Sequence, residues 1–233
     1  MSTSNLAILG CGNIGSALAK GLAKSGLTPA DITLTRRKLE SLSELNQAGF
    51  QTSDDNAKAV QNSEIIFLTV GPSQLMDLLD EISSSINANH LLISIVSGVK
   101  FSEIQKKIGK DITIIRAMPN TAAAICESMT CLSSLPQFTQ GLKTAQSLFD
   151  KVGKTLIIDE KQMASATALC ACGVAFFLRA IRAASQGGIE IGFHSDEAFT
   201  IAAQTARGAA TLLLDNDSHP EAEIDQVTTP MGA

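Results

Sequence analysis

The chain has 233 residues, of which 45% are apolar and 18% are charged. This composition excludes a disordered or fibrous protein and predicts one or two globular domains. Acidic residues outnumber basic residues by 23 to 18, for a net charge of −5. We therefore expect no nucleic-acid partner, because nucleic-acid binders present a basic face to phosphates. Five cysteines without C-x-x-C spacing indicate reduced cytoplasmic thiols and no metal centre.

The first two-thirds of the chain alternates short apolar runs with amphipathic stretches. This alternation predicts an α/β fold with a Rossmann-like, doubly wound, mostly parallel sheet, because strands that are apolar throughout are buried on both faces. The predicted strands are Leu6–Leu9, Ile32–Thr35, Glu64–Val70, Leu91–Val96, Thr113–Arg116 and Leu156–Ile158. The predicted helices are Asn13–Ser25, Lys38–Ala48, Ser73–Ser85 and Ser102–Ile108.

After Asp159 the pattern changes to Ala-rich helical stretches, namely Lys161–Gln186, Ser195–Leu214 and Pro220–Gln226. We therefore predict a dinucleotide-binding domain over residues 1–159 and an all-helical domain over residues 160–233. About 75 residues make a small core for an independent domain. Because these helices are apolar nearly all round, we expect them to pack on a second copy, in a homodimer or a larger oligomer of dimers.

One uncharged run, Gln162–Leu178, raises the question of a membrane span. It is short for a span and rich in Ala, Ser, Thr and Cys, which suits close helix packing. The first residues also lack the pattern of a signal peptide. We therefore expect a buried helix, no membrane and a cytoplasmic location.

A glycine-rich turn follows the first predicted strand and opens the first predicted helix, with the run Gly10-Cys11-Gly12-Asn13-Ile14-Gly15. This is G-x-G-x-x-G in the strand–turn–helix setting of dinucleotide-binding proteins. There Gly10 permits the tight turn, Gly12 lets a pyrophosphate approach the backbone, and Gly15 lets helix and strand pack closely. A glycine turn without a ligand is the alternative.

The end of the second strand bears on which cofactor is bound. An Asp or Glu about 20 residues after the glycine run would hold the ribose 2′-hydroxyl of NADH. Arg36 and Arg37 stand there instead, and arginine binds phosphate well. We therefore prefer NADPH, with NADH possible. The alternative is a solvated basic turn.

More specific runs occur farther along the chain. Asp55-Asn56 precedes a helix, Val70-Gly71-Pro72 and Ser97 follow strands, and two longer runs read R-A-M-P-N-T from Arg116 and D-Q-V-T-T-P from Asp225. With these motifs in this order, the chain resembles the pyrroline-5-carboxylate reductases over essentially its whole length. The resemblance implies an oxidoreductase of amino-acid biosynthesis that reduces 1-pyrroline-5-carboxylate, a small imine carboxylate, to proline by hydride transfer to the C=N carbon.

The resemblance also implies site residues. On the cofactor side these are Gly10, Gly12, Asn13, Ile14, Gly15, Arg36, Asn56, Val70, Gly71, Pro72 and Ser97, with Met118 and Asn120 at the nicotinamide end. We add Arg37 to the cofactor residues because it stands beside Arg36 at the end of the second predicted strand. On the substrate side they are Pro119, Asn120, Thr121, Cys172, Gly173, Val227, Thr228 and Thr229. No catalytic residue is assigned, because a protonated imine is already electrophilic.

The chain departs from the family pattern at three places. Gly71 stands where the family commonly has Lys, and Cys170–Phe176 replaces the run S-G-S-G-P-A-Y. The family also continues beyond V-T-T-P with another threonine, whereas this chain ends at Ala233, so we expect an incomplete C-terminal domain. These departures leave two alternatives open: a related cyclic-imine reductase, or a catalytically inert NADP-binding homologue.

Overall fold

A computed structural model describes residues 5–109 and 111–228. Within these residues the chain divides into two compact units between Val174 and Ala175. The first unit contains a β-sheet with helices, and the second is helical.

The first unit is built on one eight-stranded sheet. Its strands are β1 (Leu6–Leu9), β2 (Ile32–Thr35), β3 (Gln51–Ser53), β4 (Ile65–Leu68), β5 (Leu91–Ser94), β6 (Thr113–Met118), β7 (Ser128–Ser134) and β8 (Gly153–Ile157). Their order is β3-β2-β1-β4-β5-β6-β7-β8. All neighbouring pairs are parallel except β6 and β7. The predicted doubly wound, mostly parallel sheet is confirmed.

Ten α-helices occur among the described residues. Those of the first unit are α1 (Asn13–Lys24), α2 (Ser43–Gln47), α3 (Asn56–Gln61), α4 (Pro72–Ile82), α5 (Phe101–Ile108), α6 (Thr139–Phe149) and α7 (Met163–Ala166). α8 (Gly173–Glu190) leads into the second unit, which also contains α9 (Ser195–Asn216) and α10 (Pro220–Val227).

Alternate residues of the central strands supply two separate apolar cores. In β1, Leu6 and Ile8 pack in one core while Ala7 and Leu9 pack in the other. β4 repeats the pattern, with Ile65 on the first side. Because side chains alternate across a strand, strands with helices on both faces must be apolar throughout. This is why β1, β4 and β5 are recognisable in the sequence.

Several elements were not predicted. β3 lies at the sheet edge and is partly exposed, so it carries no apolar run. β7 reads SMTCLSS, yet Ser128, Thr130 and Ser133 are buried, and a polar buried strand gives no hydrophobic signal. α6 was likewise missing from the predicted elements, whereas α3 begins at the Asp55-Asn56 pair, where a helix was expected.

The helical stretch predicted over Lys161–Gln186 is confirmed within a helical run over Glu160–Glu190, but this run is not a regular α-helix throughout. The segment starts as a 3₁₀ turn, Glu160–Gln162, continues through α7 and a π-helical turn, Thr167–Ala171, and becomes regular in α8. In the π turn the Cys172 N–H donates to the Thr167 carbonyl at 3.0 Å. The Thr167 hydroxyl also donates to the Met163 carbonyl at 2.8 Å, a back-bond that bends helices.

The start of this segment packs on the sheet. Met163 and Ala166 share a small apolar cluster with Met118 of β6 and Cys131 of β7. The segment up to Val174 therefore belongs to the first compact unit. The functional boundary between residues 159 and 160 stays a prediction.

The helices after the sheet leave many large apolar side chains exposed. Those at least half exposed include Phe176, Phe177, Leu178, Ile191, Phe199, Leu214 and Val227. The run Glu160–Glu190 is long and apolar enough to cross a membrane by length and composition alone, a criterion that core helices of soluble proteins also meet. Only 11% of its most apolar window is buried, so the expectation of a buried helix is wrong for the single chain.

An ion pair between a buried arginine and a glutamate that is 32% exposed joins the sheet to this segment. The Arg116 side chain on β6 is 5% exposed, and its guanidinium donates to Glu160 Oε1 at 3.1 Å. The same oxygen accepts the Phe101 N–H at the start of α5, at 2.7 Å. Glu160 thus joins β6, α5 and the segment that leads into the helices.

Replacing Glu160 with Ala should destabilise the first unit by about 3 kcal/mol, because it leaves a buried guanidinium without its partner. Lys161→Ala is the matched control, since the neighbouring Lys161–Asp159 pair is 81% and 70% exposed and should contribute less than about 1 kcal/mol. Urea unfolding of both variants measures the difference. Equal stability of the two would contradict a structural role for the Arg116–Glu160 pair.

Candidate functional site

The site lies where the strand order reverses. β1 has β2 on one side and β4 on the other. The connections to β2 and to β4 therefore run to opposite sides of β1, and a crevice opens between them at the carboxyl ends of the strands. A cavity of about 810 Å³ occupies this crevice. It is lined by Gly10, Gly12, Thr35, Arg36, Arg37, Lys38, Asn56, Thr69, Val70, Gly71, Gln74, Asp77, Leu78 and Glu81.

The three glycines of the loop have different surroundings. Gly10 has φ +78°, and a Cβ there would collide with the Val70 side chain. A Cβ on Gly15 would lie 2.9 Å from Thr69 Oγ1, too close for a real contact. A Cβ on Gly12 would meet only the Gly10 carbonyl oxygen, at 3.8 Å. Gly10 and Gly15 are therefore required by packing within the chain, whereas the open side of Gly12 faces the cavity.

The loop is fixed by hydrogen bonds from both neighbouring strands. The Thr69 hydroxyl, just after β4, donates to the Leu9 carbonyl at 2.8 Å. On the other side, the Cys11 N–H donates to the Thr35 carbonyl at 2.8 Å, and the Gly10 N–H donates to Thr35 Oγ1 at 3.2 Å. α1 begins after Gly12 and has no side-chain cap. Its first N–H groups are therefore not taken up by a capping side chain, as in anion sites at helix N-termini.

The cavity wall carries charges of both signs. Arg36, Arg37 and Lys38 line it after β2, and Asp77 and Glu81 line it from α4. Among the ion pairs of residues 5–109 and 111–228, none uses any of these three cations. The basic side chains are therefore available to an anionic ligand.

The pKa of the Cys11 thiol is affected both by burial in the loop and by the nearby basic side chain of Arg36. Burial raises the pKa of its thiol, while its contact with the Ser16 hydroxyl and the charge of Arg36 oppose the rise. Because the raised pKa keeps the thiol neutral, Cys11 adds no negative charge to the loop.

The predicted cofactor residues fall into two groups. Lining the cavity are Gly10, Gly12, Arg36, Arg37, Asn56, Val70 and Gly71. Outside its lining but at the same sheet edge are Asn13, Ile14 and Gly15 in the first turn of α1, Pro72 at the start of α4, and Ser97 after β5.

The predicted residues after β6 form a separate group. Met118, Pro119 and Asn120 are buried, and Thr121 is exposed. Asn120 Oδ1 accepts the Ala122 N–H at 3.0 Å, and its Nδ2 donates to the Cys170 carbonyl at 3.2 Å. The Asn120 amide therefore links the exit of β6 to the π-helical turn.

The predicted substrate residues lie at two further places. Cys172 is exposed and Gly173 is buried, both at the end of the π turn, a feature often found at functional sites. Val227 ends α10 and Thr228 follows it, both exposed in the second unit. Thr229 lies outside the described residues.

Sequence reasoning missed half of the cavity wall, namely Thr35, Lys38, Thr69, Gln74, Asp77, Leu78 and Glu81. Thr35 and Thr69 adjoin predicted strand ends, so their position was a usable signal. Gln74, Asp77 and Glu81 recur at the three- and four-residue spacing of one helix face. That spacing is also typical of an ordinary solvated face.

Two family models match the chain. The model described as "NADP oxidoreductase coenzyme F420-dependent" covers residues 5–98. The model described as "Pyrroline-5-carboxylate reductase dimerisation" covers residues 160–233. The first contains the glycine loop and the cavity, and the second contains the helices with exposed apolar side chains.

Two solved structures are similar over the whole chain. Pyrroline carboxylate reductase of Plasmodium falciparum, with NADP bound, has a TM-score of 0.91 at 23% identity. Pyrroline-5-carboxylate reductase of Coxiella burnetii has a TM-score of 0.88 at 28% identity. In both cases the match covers 100% of this chain and 87% of the other.

The strand order and the glycine loop at its switch point define a Rossmann-type α/β protein. Pyrroline-5-carboxylate reductase 2 of Dictyostelium discoideum is 43% identical over 249 residues, covering 100% of this chain and 83% of the relative. The chain belongs to the pyrroline-5-carboxylate reductase family.

Another relative, pyrroline-5-carboxylate reductase 1 of Dictyostelium discoideum, is 49% identical over 242 residues. The match covers 98% of this chain but 44% of that relative. The chain thus spans less than half the length of one relative and most of another.

A pair of thiols connects β7 to the π turn. Cys131 Sγ of β7 and Cys170 Sγ are 3.4 Å apart. Burial first, and then the contact with Cys170, raise the pKa of Cys131 to about 12. All five cysteines lie among the described residues and are free.

Alkylation should therefore distinguish the cysteines of the folded protein. At pH 8, iodoacetamide should label the exposed Cys172 quickly and the buried Cys131 on the order of a hundred times more slowly, because the thiolate is the reactive form. At pH 9.5 the Cys131 thiol should still be almost wholly protonated, since its pKa of about 12 lies well above that pH. Peptide mass spectrometry measures both rates, with urea-unfolded protein as the control. Labelling of Cys131 as fast as Cys172 would contradict the buried, protonated thiol.

Proposed function

We propose that the chain reduces 1-pyrroline-5-carboxylate to proline with NADPH, the last step of proline biosynthesis. One observation carries the proposal: in a chain of this family, the cavity at the switch point has the glycine loop on one side and three basic side chains on another. A loop of this kind suits a pyrophosphate, and the basic side suits a further phosphate.

The cavity fits a dinucleotide on two grounds. Its volume of about 810 Å³ lies within the range of small-molecule sites, roughly 300–1,000 Å³. The space beside Gly12, where a Cβ would meet nothing closer than 3.8 Å, lets a phosphate reach the backbone N–H groups. Gly10, Gly12 and the first turn of α1 would hold the pyrophosphate.

The choice of NADPH over NADH rests on the end of β2. Arg36, Arg37 and Lys38 line the cavity there, where an NADH site has a carboxylate. Guanidinium groups bind phosphate with two hydrogen bonds. They would therefore favour a ribose 2′-phosphate over a 2′-hydroxyl.

The protein's part in the reaction is positioning. When bound, NADPH supplies the hydride for the C=N carbon. The buried Asn120 fixes the turn after β6 through its bonds to Ala122 and Cys170, which would shape the nicotinamide end. Backbone N–H groups and hydroxyls of Val227, Thr228 and Thr229 would bind the substrate carboxylate. No side chain needs to act as a strong acid when the imine arrives protonated.

The second unit supports a homodimer or an oligomer of dimers. Its exposed apolar side chains include Phe176, Phe177 and Phe199, and residues 160–233 match a dimerisation model. Burying such residues between copies removes apolar surface from water. We infer a cytoplasmic enzyme, because all five cysteines are free thiols and free thiols are usual in reducing compartments.

The direct test is NADPH oxidation with 1-pyrroline-5-carboxylate, followed at 340 nm, with proline identified as the product. We expect turnover with this five-membered ring and much less with the six-membered analogue. Absence of turnover by protein that binds NADPH would contradict the proposal and favour an inert homologue. Faster turnover of the six-membered ring would favour a related cyclic-imine reductase.

Gly12→Ala should separate ligand binding from folding. Gly12 has a φ of −96° and room for a Cβ, so the free energy of unfolding should change by less than about 0.5 kcal/mol. The KM for NADPH should rise at least ~10-fold, because the methyl group lies where the pyrophosphate would approach. Steady-state kinetics and urea unfolding measure the two effects.

Gly15→Ala is the matched control for that variant. Its Cβ would press on Thr69, so it should lose about 2 kcal/mol of stability. A Gly12→Ala enzyme with an unchanged KM for NADPH would contradict the proposed pyrophosphate site.

A further inference from the structure

A chain of side-chain hydrogen bonds runs from α4 to the glycine loop. Asn56 Nδ2 donates to both carboxylate oxygens of Glu81, at 3.0 and 3.1 Å. The Thr35 hydroxyl donates to Asn56 Oδ1 at 2.5 Å. Thr35 Oγ1 in turn accepts the Gly10 N–H at 3.2 Å. Four elements therefore meet through these side chains: α4, α3, β2 and the loop.

The carboxylate sets the direction of every bond in this chain. An ionised carboxylate only accepts hydrogen bonds, so the Asn56 amide must turn its NH₂ toward Glu81. Its oxygen then faces Thr35 and receives the hydroxyl proton, which leaves a lone pair of Thr35 Oγ1 for the Gly10 N–H. Without Glu81, the Asn56 amide is free to flip, and its NH₂ would then face the Thr35 hydroxyl. The hydroxyl would lose its acceptor and would have to rotate, which changes how Thr35 Oγ1 receives the Gly10 N–H.

The charge of Glu81 is unfavourable where it stands. Glu81 lines the same cavity as Arg36 and Arg37, and a negative charge on that wall repels the phosphates of a dinucleotide. Removing a carboxylate whose only effect was its charge would strengthen binding. If Glu81 strengthens the binding of a dinucleotide in spite of this repulsion, the favourable contribution must come from its hydrogen bonds.

We propose that Glu81 is a positioning residue for the dinucleotide, acting through Asn56 and Thr35 on the Gly10 N–H. The inference rests on the proposed function, since it concerns how the same cavity receives NADPH. Glu81 holds the Asn56 amide in one orientation, so that the loop and the Asn56 side chain meet the ligand already arranged. This preorganisation strengthens binding, because fewer side-chain and loop conformations have to be lost when the ligand binds.

Asp77 provides a matched control. It lies four residues before Glu81 on α4 and lines the same cavity, so it carries the same charge at a similar place. The described side-chain hydrogen bonds of Asn56 and Thr35 join these two residues to each other, to Glu81 and to Gly10, and none of them reaches Asp77. Its removal therefore tests the electrostatic effect alone.

The experiment measures the Kd for NADPH of the wild-type protein, Glu81→Ala, Glu81→Gln and Asp77→Ala from the fluorescence of bound NADPH. Glu81→Ala should raise Kd about 10-fold through the lost arrangement, whereas Asp77→Ala should lower it up to about 3-fold through reduced repulsion. Glu81→Gln should fall between wild type and Glu81→Ala, because its amide oxygen still accepts one bond from Asn56.

Kinetics and unfolding separate positioning from a merely structural role. Positioning should raise the KM for NADPH of Glu81→Ala while kcat at saturating NADPH changes less than about 2-fold. A lowered Tm with unchanged Kd would overturn the inference, and so would a Kd that falls as it does in Asp77→Ala. Failure of the wild-type protein to bind NADPH would instead overturn the proposed function, and the inference with it.

Discussion

The close approach of the glycine loop to the end of β4 is the constraint on which the site depends. A Cβ at Gly10 would collide with Val70, and a Cβ at Gly15 would press on Thr69. The Thr69 hydroxyl completes the contact by donating to the Leu9 carbonyl. Because this contact holds the loop at the carboxyl ends of β1 and β4, the first turn of α1 meets the crevice that opens where the strand order reverses.

The electrostatics of the cavity are local and differ from those of the whole chain. The net charge of −5 excludes a general polyanion binder, yet Arg36, Arg37 and Lys38 stand together on one wall. Asp77 and Glu81 of α4 line the same cavity, so its wall carries charges of both signs. Such a cavity suits a ligand that has phosphate groups at one place and neutral groups elsewhere better than it suits a ligand that is negatively charged along its whole length.

Much of the fold could be predicted because burial on both faces leaves a plain signal. β1, β4 and β5 are apolar throughout, and the glycine run falls between a strand and a helix. β7 could not be predicted, since Ser128, Thr130 and Ser133 are buried in hydrogen-bonded surroundings rather than marked by apolar side chains. The π turn was also missed, because a one-residue change in helical hydrogen bonding leaves no trace in composition or periodicity.

The candidate site could be predicted only in part, because some of its residues are brought together by the fold and not by a local sequence pattern. Motif spacing identified Gly10, Gly12 and Arg36, which adjoin the strand ends. The hydrogen bonds among Thr35, Asn56 and Glu81 join residues 21 and 25 positions apart, and only the fold brings them together. Sequence patterns report local geometry, whereas this network depends on how three elements pack.

The central claim is that the crevice beside β1 binds NADP through its basic wall, and calorimetric titration of NADP⁺ and NAD⁺ into the same protein tests it most directly. The account predicts one site per chain and a Kd for NADP⁺ at least ~10-fold lower than for NAD⁺ at low salt, because only NADP⁺ carries the 2′-phosphate. The difference should narrow at high salt, where charges are screened. Equal affinity for the two dinucleotides at both salt concentrations, or no binding of either, would contradict it.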